Sequence, residues 1–180
     1  RMARDSWTDG SNVSSLGPQP VLYFFSAGNG GGTGNAHRIA SPSQGKNVVS
    51  VGATGDETNG VSMNDMAGFS SRGPADDERI KPDLVAPGDS VMSAMALGGG
   101  FSNPQGTSYG EASGTSMSCP GAAGATAVAW QFYKERIGVD PSPDMMKAIL
   151  INGVDEMAAY PVLGPDQGFG RINLSTSLLT

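Results

Sequence analysis

The chain has 180 residues with 27 Gly and 12 Pro, 38% of it hydrophobic and 16% charged. That composition supports a packed core and excludes a solvated, disordered tail. A count of 11 basic against 17 acidic residues gives a net charge of −6, and no basic run exceeds two residues, which argues against a nucleic-acid partner or an anionic membrane surface.

The single cysteine, Cys119, and single histidine, His37, exclude an internal disulfide, a thiolate metal cage and a His-rich metal site. No stretch approaches the length of a membrane-spanning apolar run. The chain opens on Arg1-Met2-Ala3-Arg4 with no visible signal peptide, so a fragment of a longer protein is expected.

Residues 1–20 read as a helix end followed by a polar loop containing Asp9-Gly10, Pro18 and Pro20. Val21-Leu22-Tyr23-Phe24-Phe25 is a continuous run of β-formers that stops at Ser26-Ala27-Gly28-Asn29. This is the pattern of a buried parallel strand with a loop at its carboxyl end. Residues 48–53 form a second strand of the same type, and residues 84–86 and 91–93 are shorter candidates.

From Ser116 to about Arg136 the pattern turns helical, with Ala122, Ala123, Thr126, Ala129 and Phe132 on or near one face. Small residues dominate the stretch, so a central, buried helix is expected. Ser142-Pro143 starts another helix, with Ser as N-cap and Pro in the first turn, and Asn152-Gly153 ends it. A last short helix begins near Asn173 or Ser175. Buried strands alternating with helices give an α/β class. Glycine runs at 30–32 and 98–100 are the only repetitive tracts, and no internal domain boundary is evident.

The run most informative about chemistry is Gly114-Thr115-Ser116-Met117-Ser118-Cys119-Pro120. A hydroxyl sits where a glycine loop becomes a helix, and free N–H groups at a helix start favour a developing anion. Ser116 is therefore placed as a nucleophile with local oxyanion stabilisation. Pro120 fits a first helical turn, where its missing N–H costs little. Taken alone, the same run also describes an ordinary N-cap serine. The α/β-hydrolase elbow fails, because position 118 is Ser where that motif needs Gly.

Asn29, at the carboxyl end of a buried strand, lies where ligands bind in open α/β sheets, and its amide can donate to an oxyanion. A dinucleotide loop fails on spacing, since the third glycine place holds Thr33, Asn35 or His37. Gly45-Lys46-Asn47 likewise fails as a Walker loop.

Together these segments resemble the subtilisin-like serine peptidases, the subtilases. The matching runs, in order, are Ser26-Ala27-Gly28-Asn29, Lys46-Asn47-Val48-Val49-Ser50-Val51-Gly52-Ala53 and Phe69-Ser70-Ser71-Arg72-Gly73-Pro74. Ile80-Lys81-Pro82-Asp83-Leu84-Val85-Ala86-Pro87-Gly88, the Gly114 run and Gly168-Phe169-Gly170-Arg171-Ile172-Asn173 complete the series. The order around residues 69–88 looks most like the branch of oxidatively stable alkaline subtilases.

The resemblance implies a doubly wound parallel sheet with flanking helices, of which residues 1–180 are the later, C-terminal portion of the catalytic domain. It implies Ser116 as nucleophile and Asn29 as oxyanion donor, with the Ser116 N–H as second donor and the Thr115 hydroxyl as support. Ser26, Ala27 and Gly28 match one wall of the pocket for the substrate side chain. It further implies protein or peptide substrates and a secreted, extracellular location. No cofactor serves the chemistry. Asp76, Asp77 and Glu78 read as a solvated loop, although the family leaves room for a structural calcium that their spacing does not establish.

Subtilases carry their Asp and His upstream of the oxyanion Asn, in Asp-Thr/Ser-Gly and His-Gly-Thr contexts that do not occur here. His37 lies after Asn29 and reads as a loop histidine, and Asp9-Gly10 reads as a turn. The expected partner is therefore an N-terminal segment of the same peptidase, bearing Asp and His. Without it the chain is expected to be almost inert, since losing the histidine removes on the order of 10⁶ in turnover, a figure taken from subtilisin itself.

Two other classes remain. One is an inactive subtilase-like fragment or protein-binding scaffold; the other is a small-molecule or nucleotide-binding α/β domain, which the glycine spacing disfavours. Met117, beside the nucleophile, is expected to make activity sensitive to peroxide. Cys119 reads as a small core residue and not a reactive thiol.

Overall fold

In the computed structural model, residues 20–31, 38–57, 60, 62–96, 102–105 and 108–178 are described. His37, Asp9-Gly10 and the glycine run at 98–100 lie outside them.

Three short strands, β1 (Phe24–Ser26), β2 (Val49–Thr54) and β3 (Leu84–Pro87), form a parallel sheet in the order β1-β2-β3. Phe24 pairs with Val49 and Ser26 with Val51, while Val51 pairs with Leu84 and Thr54 with Pro87. Every residue of β2 is buried, as expected of an inner parallel strand covered on both faces. The β3 side chains alternate: Leu84 and Ala86 join the core beneath the helices, and Val85 joins Met66 and Met157 on the other face.

A second sheet is antiparallel and ordered β4-β6-β5, from β4 (Val91–Ala94), β5 (Ser102–Gln105) and β6 (Tyr109–Ala112). Of these, only β4 was expected from the sequence.

Helix α1 (Thr115–Ile137) packs across all three parallel strands, and α2 (Pro143–Asn152) and α3 (Leu174–Ser177) pack against its later part. The expectation of a buried central helix needs correction. α1 buries one stripe, Thr115, Ser118, Ala122, Thr126 and Ala129, while Val128 is 52% exposed. Its small residues press one face onto the sheet and leave the other free. Gly138, with φ +86°, closes the helix in the left-handed conformation, its N–H donating to Lys134 O.

Ser142 caps α2 as expected, accepting from the Met145 N–H, and Asn173 caps α3, accepting from the Thr176 N–H. The main core gathers Val49, Val51, Leu84, Ala86, Ala122, Ala129, Met146 and Leu150. The segment at 170–172 adds to the outer side of β3, with Ile172 N donating to Val85 O and Val85 N to Gly170 O. Among the described residues no strand pairs with the outer side of β1, which is half-buried throughout.

Candidate functional site

The carboxyl ends of β1 and β3 and the amino end of α1 converge on Ser116. Gly88, just past β3, holds the start of α1: its carbonyl accepts from Gly114 N at 2.8 Å. A Cβ on Gly88 would stand 2.9 Å from Gly114 O and 2.8 Å from the Ala53 methyl, so the turn needs glycine to lie this close.

The N-cap position of α1 is Gly114, not Ser116. Ser116 stands one residue inside the helix, which overturns the reading of it as a capping serine. Thr115 is buried and Ser116 exposed, so neighbouring hydroxyls face opposite ways. Around Ser116 the helix-start donors are taken: Thr115 N donates to Asn29 Oδ1 and Met117 N to Gly114 O, both at 2.9 Å. The Ser116 N–H between them has no acceptor four residues back within the helix.

Pro120 also needs correction. It is the sixth residue of α1, beyond the first turn, and its ring nitrogen cannot donate to the Ser116 carbonyl. The Ser116 carbonyl thereby lacks the usual donor four residues on.

Asn29 is exposed at the end of the β1 segment, and its orientation is fixed by Thr115. The Thr115 N–H and hydroxyl both donate to Asn29 Oδ1 at 2.9 Å. With the carbonyl end so engaged, the amide Nδ2 lies over Gly114, 3.2 Å from where a Cβ would stand there. The Thr115 hydroxyl also accepts from Gly28 N at 3.2 Å.

Ser26 is half-buried, and its hydroxyl bonds the Cys119 thiol. Burial pushes that thiol up from its ordinary pKa while the bond to Ser26 opposes the shift, which leaves Cys119 a poor nucleophile. Ala27 is fully buried, its N–H donating to Val51 O and its carbonyl accepting from Ala40 N. Gly28 has φ +111° and a Cβ there would stand 2.8 Å from Ser71 Oγ, so no side chain is accommodated. The structure thus brings Asn29, Thr115 and Ser116 into one cluster with Gly28 alongside. Ser26 and Ala27 anchor it from behind.

The subtilase family model matches residues 3–171. The chain belongs to the subtilase family. It is 33% identical over 162 residues to the serine protease AprX of Bacillus subtilis, a match covering 87% of this chain and 33% of that protein. Against pyrolysin of Pyrococcus furiosus it is 30% identical over 183 residues, covering 87% of this chain and 12% of that one. The solved structure of a lanthipeptide protease superposes with a TM-score of 0.71 at 22% identity, covering 99% of this chain and 54% of the other. The self-cleaved protease domain of PatA gives 0.66 at 24% identity, over 93% and 52%. The chain therefore spans a minor part of the curated subtilases that it matches and about half of these solved domains.

An apolar cavity of about 280 Å³ between α1 and α2, lined by Phe132, Tyr133, Met145 and Ile149, begins at Ala129. That is thirteen residues along α1 from Ser116, or about 20 Å at 1.5 Å per residue. Asp76, Asp77 and Glu78 are exposed, and Asp77 is held by Arg79 at 2.7 Å. Among the described residues no group of three or more His, Cys, Asp or Glu is arranged to hold a metal ion. None of their helices is long and apolar enough to cross a membrane.

Sequence reasoning assigned no role to Ser70 or Ser71. Ser71 N donates to Gly28 O and Ser71 Oγ accepts from Gly30 N. A serine inside a loop carries no periodic signal, so only its partners reveal it.

Proposed function

We propose that the chain carries the nucleophile and the oxyanion donors of a serine endopeptidase, which hydrolyses peptide bonds through an acyl-enzyme on Ser116. One observation carries the reading. Thr115 engages Asn29 Oδ1 twice, which turns the amide donor of Asn29 toward the exposed start of α1 where Ser116 sits.

In this scheme Ser116 Oγ attacks the scissile carbonyl carbon, and a histidine on an upstream segment takes the Oγ proton. The tetrahedral oxyanion receives Asn29 Nδ2–H and the Ser116 N–H. Collapse expels the amine, which takes the proton from the histidine, and water then hydrolyses the ester. Gly28, with Ser26 and Ala27 behind it, forms one wall for the substrate side chain; the rest comes from the upstream segment.

Two features favour such a segment as partner. The outer side of β1 carries no strand among the described residues, and beside it runs a groove lined by Leu22, Phe24, Ala123, Ala127 and Trp130. The solved domains are also about twice as long as this chain. Secretion and membership of the oxidatively stable alkaline branch belong to the same proposal.

The test is labelling with a fluorophosphonate probe, read by peptide mass spectrometry. With the Asp- and His-bearing segment present, the adduct is expected on Ser116 and is lost in Ser116→Ala. Folded, complete protein that takes no label overturns the reading.

A further inference from the structure

We infer that Ser71 positions Asn29 for the reaction by gripping the chain on both sides of it. The inference rests on the proposed role of Asn29. Ser71 N donates to Gly28 O at 2.9 Å, and Ser71 Oγ accepts from Gly30 N at 3.1 Å. One residue, 1% exposed, therefore holds the peptide groups immediately before and after Asn29. Asn29 itself is exposed and touches its surroundings through Thr115.

The neighbours of Ser71 make the grip rigid. Ser70 Oγ accepts from Ala53 N at 3.0 Å, which fastens the segment to the end of β2. Phe69 O accepts from Gly31 N at 2.8 Å, and Arg72 O from Arg38 N at 2.9 Å. Gly31 lies so close that a Cβ there would collide with the Ser70 carbonyl. Adjacent serines thus face two ways: Ser70 to the sheet, Ser71 to the Asn29 loop.

An oxyanion donor works only when its N–H is already in place as charge develops, so a looser loop weakens the transition state more than substrate binding. Ser71 is a positioning residue, acting through Asn29. Removing its hydroxyl leaves Gly30 N unpaired and the loop held on one side only.

The experiment is a double-mutant cycle in the complete peptidase, with active sites titrated so that kcat refers to folded enzyme. Ser71→Ala is expected to lower kcat about tenfold, the worth of one buried hydrogen bond, with KM nearly unchanged. In an Asn29→Ala background the same change is expected to cost less than about twofold, because the group it positions is gone. Equal losses in both backgrounds, or a loss confined to KM, overturn the role of Ser71. An unchanged kcat in Asn29→Ala alone overturns the oxyanion reading beneath it. If Ser71→Ala fails to fold, Ser71→Cys carries a weaker acceptor on the same bond and must show the same dependence on Asn29.

Discussion

Thr115 donates twice to a single atom of Asn29: its backbone N–H and its hydroxyl both reach Oδ1 at 2.9 Å. The two residues are 86 positions apart, one at a strand end and the other in the first turn of α1. An amide side chain rotates freely about its last bond unless one end is committed. Here the acceptor end is committed, which leaves the donor end to the exposed side. The Thr115 hydroxyl also accepts from Gly28 N, so it ties the backbone of this loop as well as the side chain.

Thr115→Val keeps the shape of the side chain and deletes the hydroxyl. The expected result is a kcat lower by about ten- to a hundredfold with little change in KM, since two hydrogen bonds of three in this cluster go and only the Thr115 N–H bond remains. Steady-state kinetics on the complete peptidase check it. A rise in KM alone would show that the hydroxyl serves substrate binding instead.

Asn29→Ala removes the proposed oxyanion donor itself. Turnover should fall by about 10² to 10³, a magnitude known from this family, while the protein stays folded because Asn29 is exposed. Fluorophosphonate labelling of Ser116 should slow in parallel, since phosphonylation develops the same oxyanion. Unaltered rates in both assays would remove Asn29 from the mechanism.

The frame around this site was legible where local chemistry decides the structure. Residues 48–53 read as a buried strand and form β2, Val49–Thr54, because an apolar run ending in glycine and threonine has no helical period. Ser142-Pro143 opens α2 as read, since cap and proline act within one turn. The antiparallel ribbon was not legible. Ser102–Gln105 and Tyr109–Ala112 hold Ser, Asn, Pro, Gln, Gly and Glu, poor strand formers; Tyr109–Ala112 pairs with β4 on one side and with Ser102–Gln105 on the other. The site divides the same way. Ser116 and Asn29 were legible as a helix start and a strand end, but the bond between Thr115 and Asn29 and the grip of Ser71 are long-range contacts that no local signal encodes.

Lys81 is a further case in which residue type misleads. A lysine beside a proline reads as surface, yet this one is 2% exposed. Its ammonium pairs with Asp83 Oδ2 at 2.5 Å, and Lys147 takes Asp83 Oδ1 at 2.6 Å. Asp83 Oδ2 also accepts from Ser50 N at 2.7 Å, joining the cluster to β2. Burial holds the Lys81 pKa below its ordinary value, against the pull of Asp83. Asp83→Asn would leave two ammonium groups facing each other without their anion. Removing one partner from such a buried pair costs about 3–5 kcal/mol, so denaturant unfolding should show a loss of that order. A loss below about 1 kcal/mol, the range of surface pairs, would mean that Lys147 simply turns out to water.

Asp155 contributes to the acid limb of stability. Its carboxylate accepts from Asn173 Nδ2, at 2.9 and 3.0 Å to its two oxygens, and from Arg171 Nη2 at 2.9 Å. The Asn173 bond, helped by Arg171, holds its pKa below the ordinary 3.8, against the opposing effect of burial. A carboxylate whose folded pKa is depressed binds fewer protons folded than unfolded just below that value. Its stabilisation is therefore complete above about pH 3.8 and is lost as pH falls through the lowered folded value. The side chain is 39% exposed, so solvent screening keeps the effect modest. Backbone bonds exchanged between Asp155 and Arg171, both 2.8 Å, remain in either protonation state. Asp155→Asn should thus unfold at lower denaturant than the parent near pH 7, with the gap closing as pH drops toward about 2. A gap that stays constant over that range would assign the loss to altered packing around Arg171 and Asn173 instead of to the charge.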